Sequence, residues 1–340
     1  MTDKKRVLTG ITTSGTPHIG NLAGAILPAI NASKDSSTNS FLFLADYHSL
    51  IKNSKPEITH SSSFQIAACW LACGLDPNEV VFYRQSDVPH IFELAWILSC
   101  LTSKGLMNRA HAYKAAVSEN KSQKNKDLDK GISMGLFNYP ILMAADILMF
   151  NADIVPVGLD QKQHVEMTRD IALRFNHHYG EIFRIPEALI PEVAGTLPGL
   201  DGRKMSKSYQ NFIPIFLSSE ELRRHVMKIK TDSKEPGEKK DIENSSIFNI
   251  FNAFASEKET SNLMKLYEEG ISWGDAKEML YSLLNEKLTP YRENYNDLIK
   301  DINEVEKILT NGAEKALDIS SPLMHKIRKS LGIKKFSDLK

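Results

Sequence analysis

Lys204-Met205-Ser206-Lys207-Ser208 sets two ammonium groups and two hydroxyls within five residues, with Gly199, Asp201 and Gly202 just upstream. Lysine brings a mobile point charge, serine a hydroxyl hydrogen bond, and the glycines let the backbone bend so that both converge on an anion. The chemistry that suits such a loop is contact with phosphate. Taken alone it is equally an ordinary solvated turn. A second segment, Thr9-Gly10-Ile11-Thr12-Thr13-Ser14-Gly15-Thr16-Pro17-His18-Ile19-Gly20-Asn21, has the same leaning. If a helix starts near Thr16, with Thr16 as N-cap and Pro17 in its first position, its free N–H groups and positive dipole end face a phosphate beside His18. Simple turn chemistry with a surface histidine is the alternative for that segment in isolation.

A third constellation is apolar. At helical spacing Tyr139, Met143, Asp146 and Phe150 share one side, so a phenol, a thioether and a carboxylate stand together. Asp146, flanked by Ala144, Ala145, Ile147 and Leu148, is costly on such a face unless something hydrogen-bonds it. A buried Arg, a neighbouring backbone N–H or a ligand would each serve.

These groups need a scaffold, and the pattern supplies one. Arg6 to Ile11, Phe41 to Asp46, Glu79 to Tyr83 and Ala152 to Val157 read as buried strands. Between them, Ile19 to Ile30, Ser61 to Cys73, Ile91 to Leu101, Tyr139 to Phe150 and Gln161 to Asn176 read as helices. The alternation predicts an α/β fold, a Rossmann-like doubly wound parallel sheet with a helical second domain. Ligands bind such sheets outside the carboxyl ends of the strands, where the Gly10 to Asn21 turn and the turn after Val157 emerge. The expected domains are 1–217, Rossmann-like and catalytic, 218–300, helical, and a C-terminal helical segment 301–340, for which a return to the catalytic domain is one option. Glu119 to Lys130 is expected to be a mobile polar loop. Asp160 and Gln163 match a capping box.

Together, His18-Ile19-Gly20-Asn21 and Lys204 to Ser208 resemble the paired signatures of class I aminoacyl-tRNA synthetases. Gly135-Leu136-Phe137-Asn138-Tyr139-Pro140-Ile141-Leu142-Met143-Ala144-Ala145-Asp146-Ile147-Leu148 and Val155-Pro156-Val157-Gly158-Leu159-Asp160-Gln161-Lys162-Gln163-His164 resemble the tryptophanyl-tRNA synthetases of bacterial type. The likeness runs through essentially the whole chain, including Trp273-Gly274, Pro290-Tyr291-Arg292 and Gly312 to Ala316.

The resemblance implies tryptophan–tRNA ligase activity: L-tryptophan and ATP give tryptophanyl-adenylate and pyrophosphate, and tryptophan then passes to the 3′ end of tRNA(Trp). It implies catalytic roles for Lys204, Lys207, His18 and Lys114. It implies ATP contacts from Thr12, Thr13, Ser14, Gly20, Asn21, Gly158, Leu159 and Asp160 and from Lys204, Met205, Ser206, Lys207 and Ser208. Tryptophan would be held by Asp146, as acceptor for the indole N–H, and by Tyr139, Met143, Gln161, His48, Leu8, Val155 and Val157. Indole nitrogen only donates, so an acceptor is the partner it needs. Many family members carry Gln-Pro-Ser-Gly where this chain has Thr12-Thr13-Ser14-Gly15, which leaves backbone contacts from Thr12 to Ser14 as the expectation. Mg²⁺ is expected on the ATP phosphates, with no protein metal site, and the helical domain is expected to recognise the tRNA anticodon. A homodimer is expected from the resemblance alone. The alternatives are a tyrosyl-tRNA synthetase, a tRNA-independent nucleotidyltransferase of the same superfamily, and a catalytically silent RNA-binding protein.

Composition bounds the partners. With 42 basic and 42 acidic side chains in 340 residues, RNA must be held by local patches and not by an overall field. Arg223, Arg224, Lys228, Lys230 and Lys234 form one candidate, and Lys326, Arg328, Lys329, Lys334 and Lys335 another, each equally a solvated helix face. Cys69, Cys73 and Cys100 are too few for a disulfide or zinc framework, and the first two are expected to be buried thiols. No apolar run is long enough to span a bilayer and no signal core is visible, so a cytoplasmic location is expected.

Overall fold

Strands β1 (Lys5–Ile11), β2 (Thr38–Leu44), β3 (Val81–Arg84), β4 (Ile154–Pro156) and β5 (Glu187–Leu189) form one parallel sheet in the order β3-β2-β1-β4-β5. This computed structural model describes residues 4–13, 15, 17–51, 55–190, 197–333 and 335–336. The strand order reverses at β1, which opens a crevice beyond the carboxyl ends of β1 and β4. Ser40 to Leu44 is buried throughout because helices cover both faces of β2, and this makes the strand a continuous apolar run. The four strands expected from sequence are present with ends shifted by a few residues. Strand β5 was not anticipated, since Glu-Ala-Leu carries no apolar run to read.

Helical structure begins at Ile19, not at Thr16, which lies outside the described residues. His18 is the N-cap: its Nδ1 accepts from the Asn21 N–H at 3.3 Å while Asn21 Oδ1 accepts from the His18 N–H at 3.1 Å. This reciprocal pair gives the His18 N–H its partner and adds a second acceptor to the Asn21 N–H, which also bonds the His18 carbonyl at 2.8 Å, so the cap falls on histidine. Pro28 has no N–H to return to Gly24, and ahead of it the helix widens into a π turn over Leu22–Ile26, where the Leu27 N–H bonds the Leu22 carbonyl.

Two other segments differ from expectation. Glu119 lies within the helix His111–Ser122, and the turn after it is closed by buried Asn120, whose Nδ2 donates to the carbonyls of Leu128 and Lys130 at 2.9 Å each. Gln163 makes no capping box with Asp160. Its side chain accepts from the His111 N–H at 2.9 Å and donates to the Arg109 carbonyl at 3.1 Å, tying two ligand-side turns together.

After β5 the named elements among the described residues are all helices, chiefly Ser219–Met227, Ser246–Asn252, Glu257–Glu269, Trp273–Leu298 and Ile302–Ser330. Ile213, Ile215, Leu280 and Leu284 join Ile11, Leu42 and Leu44 in one apolar core, so the helical part grows out of one face of the sheet. Ile302–Ser330 covers the edge strand β3. Gly312 permits this approach, because a Cβ there would stand 1.7 Å from the carbonyl oxygen of Phe82. Arg84–Glu306 and Arg328–Glu93 ion pairs flank the contact.

Candidate functional site

Two cavities meet at the carboxyl end of β1, and Gly10 and Thr12 line both. The first, of about 850 Å³, brings the two sequence motifs together: Pro17, His18, Gly20 and Asn21 form one wall and Lys204 to Tyr209 the other. Backbone pairing explains the meeting. The Ile19 N–H bonds the Ile213 carbonyl at 3.0 Å and the Ile215 N–H bonds the Pro17 carbonyl at 3.4 Å. Asn211 then shapes the lysine loop: its Oδ1 accepts from the Ser206 N–H at 2.8 Å, and its Nδ2 donates to Asp201 at 2.6 Å and to the Lys204 carbonyl at 3.1 Å.

Electrostatics in this cavity favour an anion. Burial, aided by the Lys207 ammonium, lowers the His18 pKa to about 4, so the imidazole is neutral near pH 7. With Nδ1 accepting from Asn21, its remaining proton resides on Nε2, available as a donor. Gly15 has φ +64°, a conformation open to glycine, and a Cβ on it would stand 3.0 Å from Nζ of Lys207.

The second cavity, of about 540 Å³, adjoins the first and is mostly apolar with a few polar groups, the usual character of a small-molecule site. Leu8, His48, Tyr139, Met143, Asp146, Val155, Val157 and Gln161 all line it, so every residue expected to hold the amino acid is there. Tyr139, Met143 and Asp146 project from one side of the helix Met134–Met149, while Phe150 turns into the core against Phe41 and Tyr83. Asp146 is fully buried. Burial raises its carboxyl pKa, and hydrogen bonds from His48 and Gln85 oppose that rise. His48 Nε2 lies 2.9 Å from Oδ2 of Asp146. Tyr139 is oriented by His164, whose Nε2 lies 2.5 Å from the phenol oxygen.

Some expected residues stand elsewhere. Asp160 lines the second cavity and not the first, and Gly158 and Leu159 line neither, Leu159 being 75 % exposed. Thr13 is buried behind the motif, and Lys114 is an exposed residue of the His111–Ser122 helix that lines neither cavity. Ser14 and Lys334 lie outside the described residues. The basic patches are partly committed to the chain itself: Arg223 pairs with Glu278, Arg328 with Glu93, and Lys326 donates to the Glu181 carbonyl. Gln85, Asn211 and His164 were not anticipated. Gln85 directly follows β3 at the ligand end of the sheet and His164 lies in the first turn of the helix Lys162–Tyr179, yet what each does depends on a partner distant in sequence.

A family model described as tRNA synthetases class I (W and Y) matches residues 1–289. The tryptophan–tRNA ligase of Neisseria meningitidis is 54 % identical over 331 residues, covering 97 % of this chain and 98 % of that protein. That of Pseudomonas putida is 53 % identical over 334 residues, covering 97 % and 74 %. The crystal structure of tryptophanyl-tRNA synthetase from Campylobacter jejuni complexed with ADP and tryptophan superposes with a TM-score of 0.87 at 44 % identity, covering 96 % of this chain and 99 % of that one.

Proposed function

The chain belongs to the class I tRNA synthetases for tryptophan and tyrosine, and from that membership we propose that it is a tryptophan–tRNA ligase. It activates L-tryptophan with ATP to tryptophanyl-adenylate and pyrophosphate, then transfers tryptophan to the 3′-terminal ribose of tRNA(Trp). The observation that carries this reading is the adjacency of the two cavities. One is walled by lysines and a helix start, the other holds a buried acceptor among apolar groups, and they share Gly10 and Thr12. A substrate carboxylate in the second can thus meet an α-phosphate in the first.

No side chain needs to act as nucleophile. The tryptophan carboxylate attacks the α-phosphate in line, the bond to the bridging oxygen breaks, and pyrophosphate leaves with the electron pair. Lys204 and Lys207 follow the charge on nonbridging and leaving oxygens, His18 donates through Nε2, and Gly20, Asn21, Thr12 and Ser206 shape the phosphate wall. Lys114, Thr13, Ser14, Gly158 and Leu159 are proposed to contribute from the margin of the site when ATP is bound. Tyr139 and Gln161 hold the amino-acid end. Met143 and the Leu8, Val155 and Val157 side chains pack on the ring, and Asp146, held by His48, accepts the indole N–H. An amino acid that brings no donor to that position leaves the carboxylate unpaired toward the cavity, and a site built to bond a substrate N–H rejects an analogue without one.

Mg²⁺ is proposed to arrive on the ATP phosphates. Among the described residues no group of three His, Cys, Asp or Glu side chains is arranged to hold it. The division into a catalytic part to residue 217, a helical part to residue 300 that recognises the anticodon, and a returning C-terminal helix is likewise proposed. The enzyme would work in the cytoplasm. Among the described residues no helix is long and apolar enough to cross a membrane. A homodimer is the proposed assembly, with Trp96, 72 % exposed on the Pro89–Leu101 helix, available to a second copy.

Pyrophosphate exchange across the twenty amino acids, followed by charging of tRNA(Trp), tests the reading. Tryptophan alone should support both steps. Exchange driven by tyrosine, or adenylate formation without charging, would overturn it.

A further inference from the structure

Gln85 is the first residue after β3 and is fully buried. Its Nε2 lies 2.8 Å from Oδ1 and 3.0 Å from Oδ2 of Asp146, so one amide NH₂ group straddles the whole carboxylate. Its own carbonyl oxygen, also buried, has no hydrogen-bond partner among the described residues. A glutamine kept only to fill space would be expected to satisfy both ends of its amide. Here the donor end is held on the acid while the acceptor end goes without, which marks the donor as the useful half. The opposite amide orientation would set Oε1 against a carboxylate, acceptor against acceptor.

We propose that Gln85 is a positioning residue that selects tryptophan: it fixes the plane of the Asp146 carboxylate and favours its ionised form, leaving that group as acceptor toward the cavity. The proposal rests on the reading of Asp146 as partner of the indole N–H. His48 occupies Oδ2 from the other side at 2.9 Å, so the carboxylate is gripped by two elements and has little rotational freedom. Gln85 is itself held in place by its neighbours. Arg84 forks onto Glu306 of the C-terminal helix at 2.8 and 2.7 Å and onto Asp87 at 2.7 Å. Ser86 donates its hydroxyl to Asp46 at 2.5 Å and its N–H at 3.2 Å, and Asp46 lies two residues before His48. The two donors on Asp146 are therefore linked behind the site.

The test compares tryptophan with 3-(benzothiophen-3-yl)alanine, in which sulfur replaces the indole N–H, in pyrophosphate exchange by wild type, Gln85→Met and Asp146→Ala. Gln85→Met keeps length and apolar bulk and removes both donors. The expected result is a fall of at least about tenfold in the preference for tryptophan in Gln85→Met, carried mainly by the KM for tryptophan. A parallel loss with both substrates, as a purely structural role would give, overturns the proposal, as does an unchanged preference. If Gln85→Met does not fold, the isosteric Gln85→Glu, which replaces the donor by an acceptor, is read by the same two criteria. An unchanged preference in Asp146→Ala would instead remove the underlying assignment of Asp146, and an inactive wild type would remove the proposed function. The three failures are thus distinguishable.

Discussion

Lys207 and Gly15 are neighbours: a Cβ on Gly15 would stand 3.0 Å from Nζ of Lys207. The first motif and the lysine loop therefore close on each other, although far apart in sequence. Gly15→Ala meets two obstacles there, the left-handed φ of +64° and the lysine itself. Strain of this kind costs on the order of 1–3 kcal/mol, so the variant should turn over ATP and tryptophan about tenfold more slowly. Steady-state pyrophosphate exchange checks this, with the KM for tryptophan as the control, which should move less than kcat.

Lys207→Ala separates transition-state stabilisation from ground-state binding. Removing one donor aimed at developing charge typically slows chemistry by about 10²–10³-fold. Single-turnover adenylate formation should show a loss of that order, with a much smaller rise in the apparent Kd for ATP. The reverse pattern, normal turnover with weakened ATP binding, would reduce Lys207 to a simple anchor.

His18 gives a pH signature whose sign follows from its burial. Its pKa is lowered from 6.5 to about 4 in the folded chain, so the unfolded chain takes up a proton first as pH falls. The stability it contributes is fully present above pH 6.5 and is lost as pH drops toward 4. Urea unfolding of wild type and His18→Asn at pH 7, 5.5 and 4.5 should show wild type losing more stability than the variant over that interval. Equal slopes would mean that folding does not lower the His18 pKa.

Much of this site was legible in the sequence because its parts lie on elements with strong patterns. Tyr139, Met143 and Asp146 are fixed by helical spacing, and the two loops follow apolar strands. What escaped was set by tertiary partners. Nothing local separates Gln85 from a surface glutamine, since its role depends on a carboxylate 61 residues away. Gln163 looked like a cap for Asp160 because sequence shows only its near neighbours, whereas the Arg109–His111 backbone offers it both a donor and an acceptor. Thr16 had the better N-cap propensity, yet His18 could exchange hydrogen bonds with Asn21 and moved the helix start.

Gly312 was visible as a glycine in a helical pattern, but its reason lies on β3. Glycine in a helix interior is unfavourable by about 1 kcal/mol relative to alanine, so on propensity alone Gly312→Ala should stabilise the Ile302–Ser330 helix. Packing reverses the sign. The added Cβ would stand 1.7 Å from the Phe82 carbonyl oxygen and 2.6 Å from its carbon, and backbone atoms in a paired strand cannot yield as a side-chain tip can. The helix must lift, which pulls Glu306 from Arg84 and loosens the residue before Gln85. The expected outcome is a net loss of about 2 kcal/mol or more in urea unfolding, the scale of overpacking in a close-packed core, together with a raised KM for tryptophan. A gain of stability would mean that helix propensity outweighs the contact and that the helix does not lie this close to the edge strand.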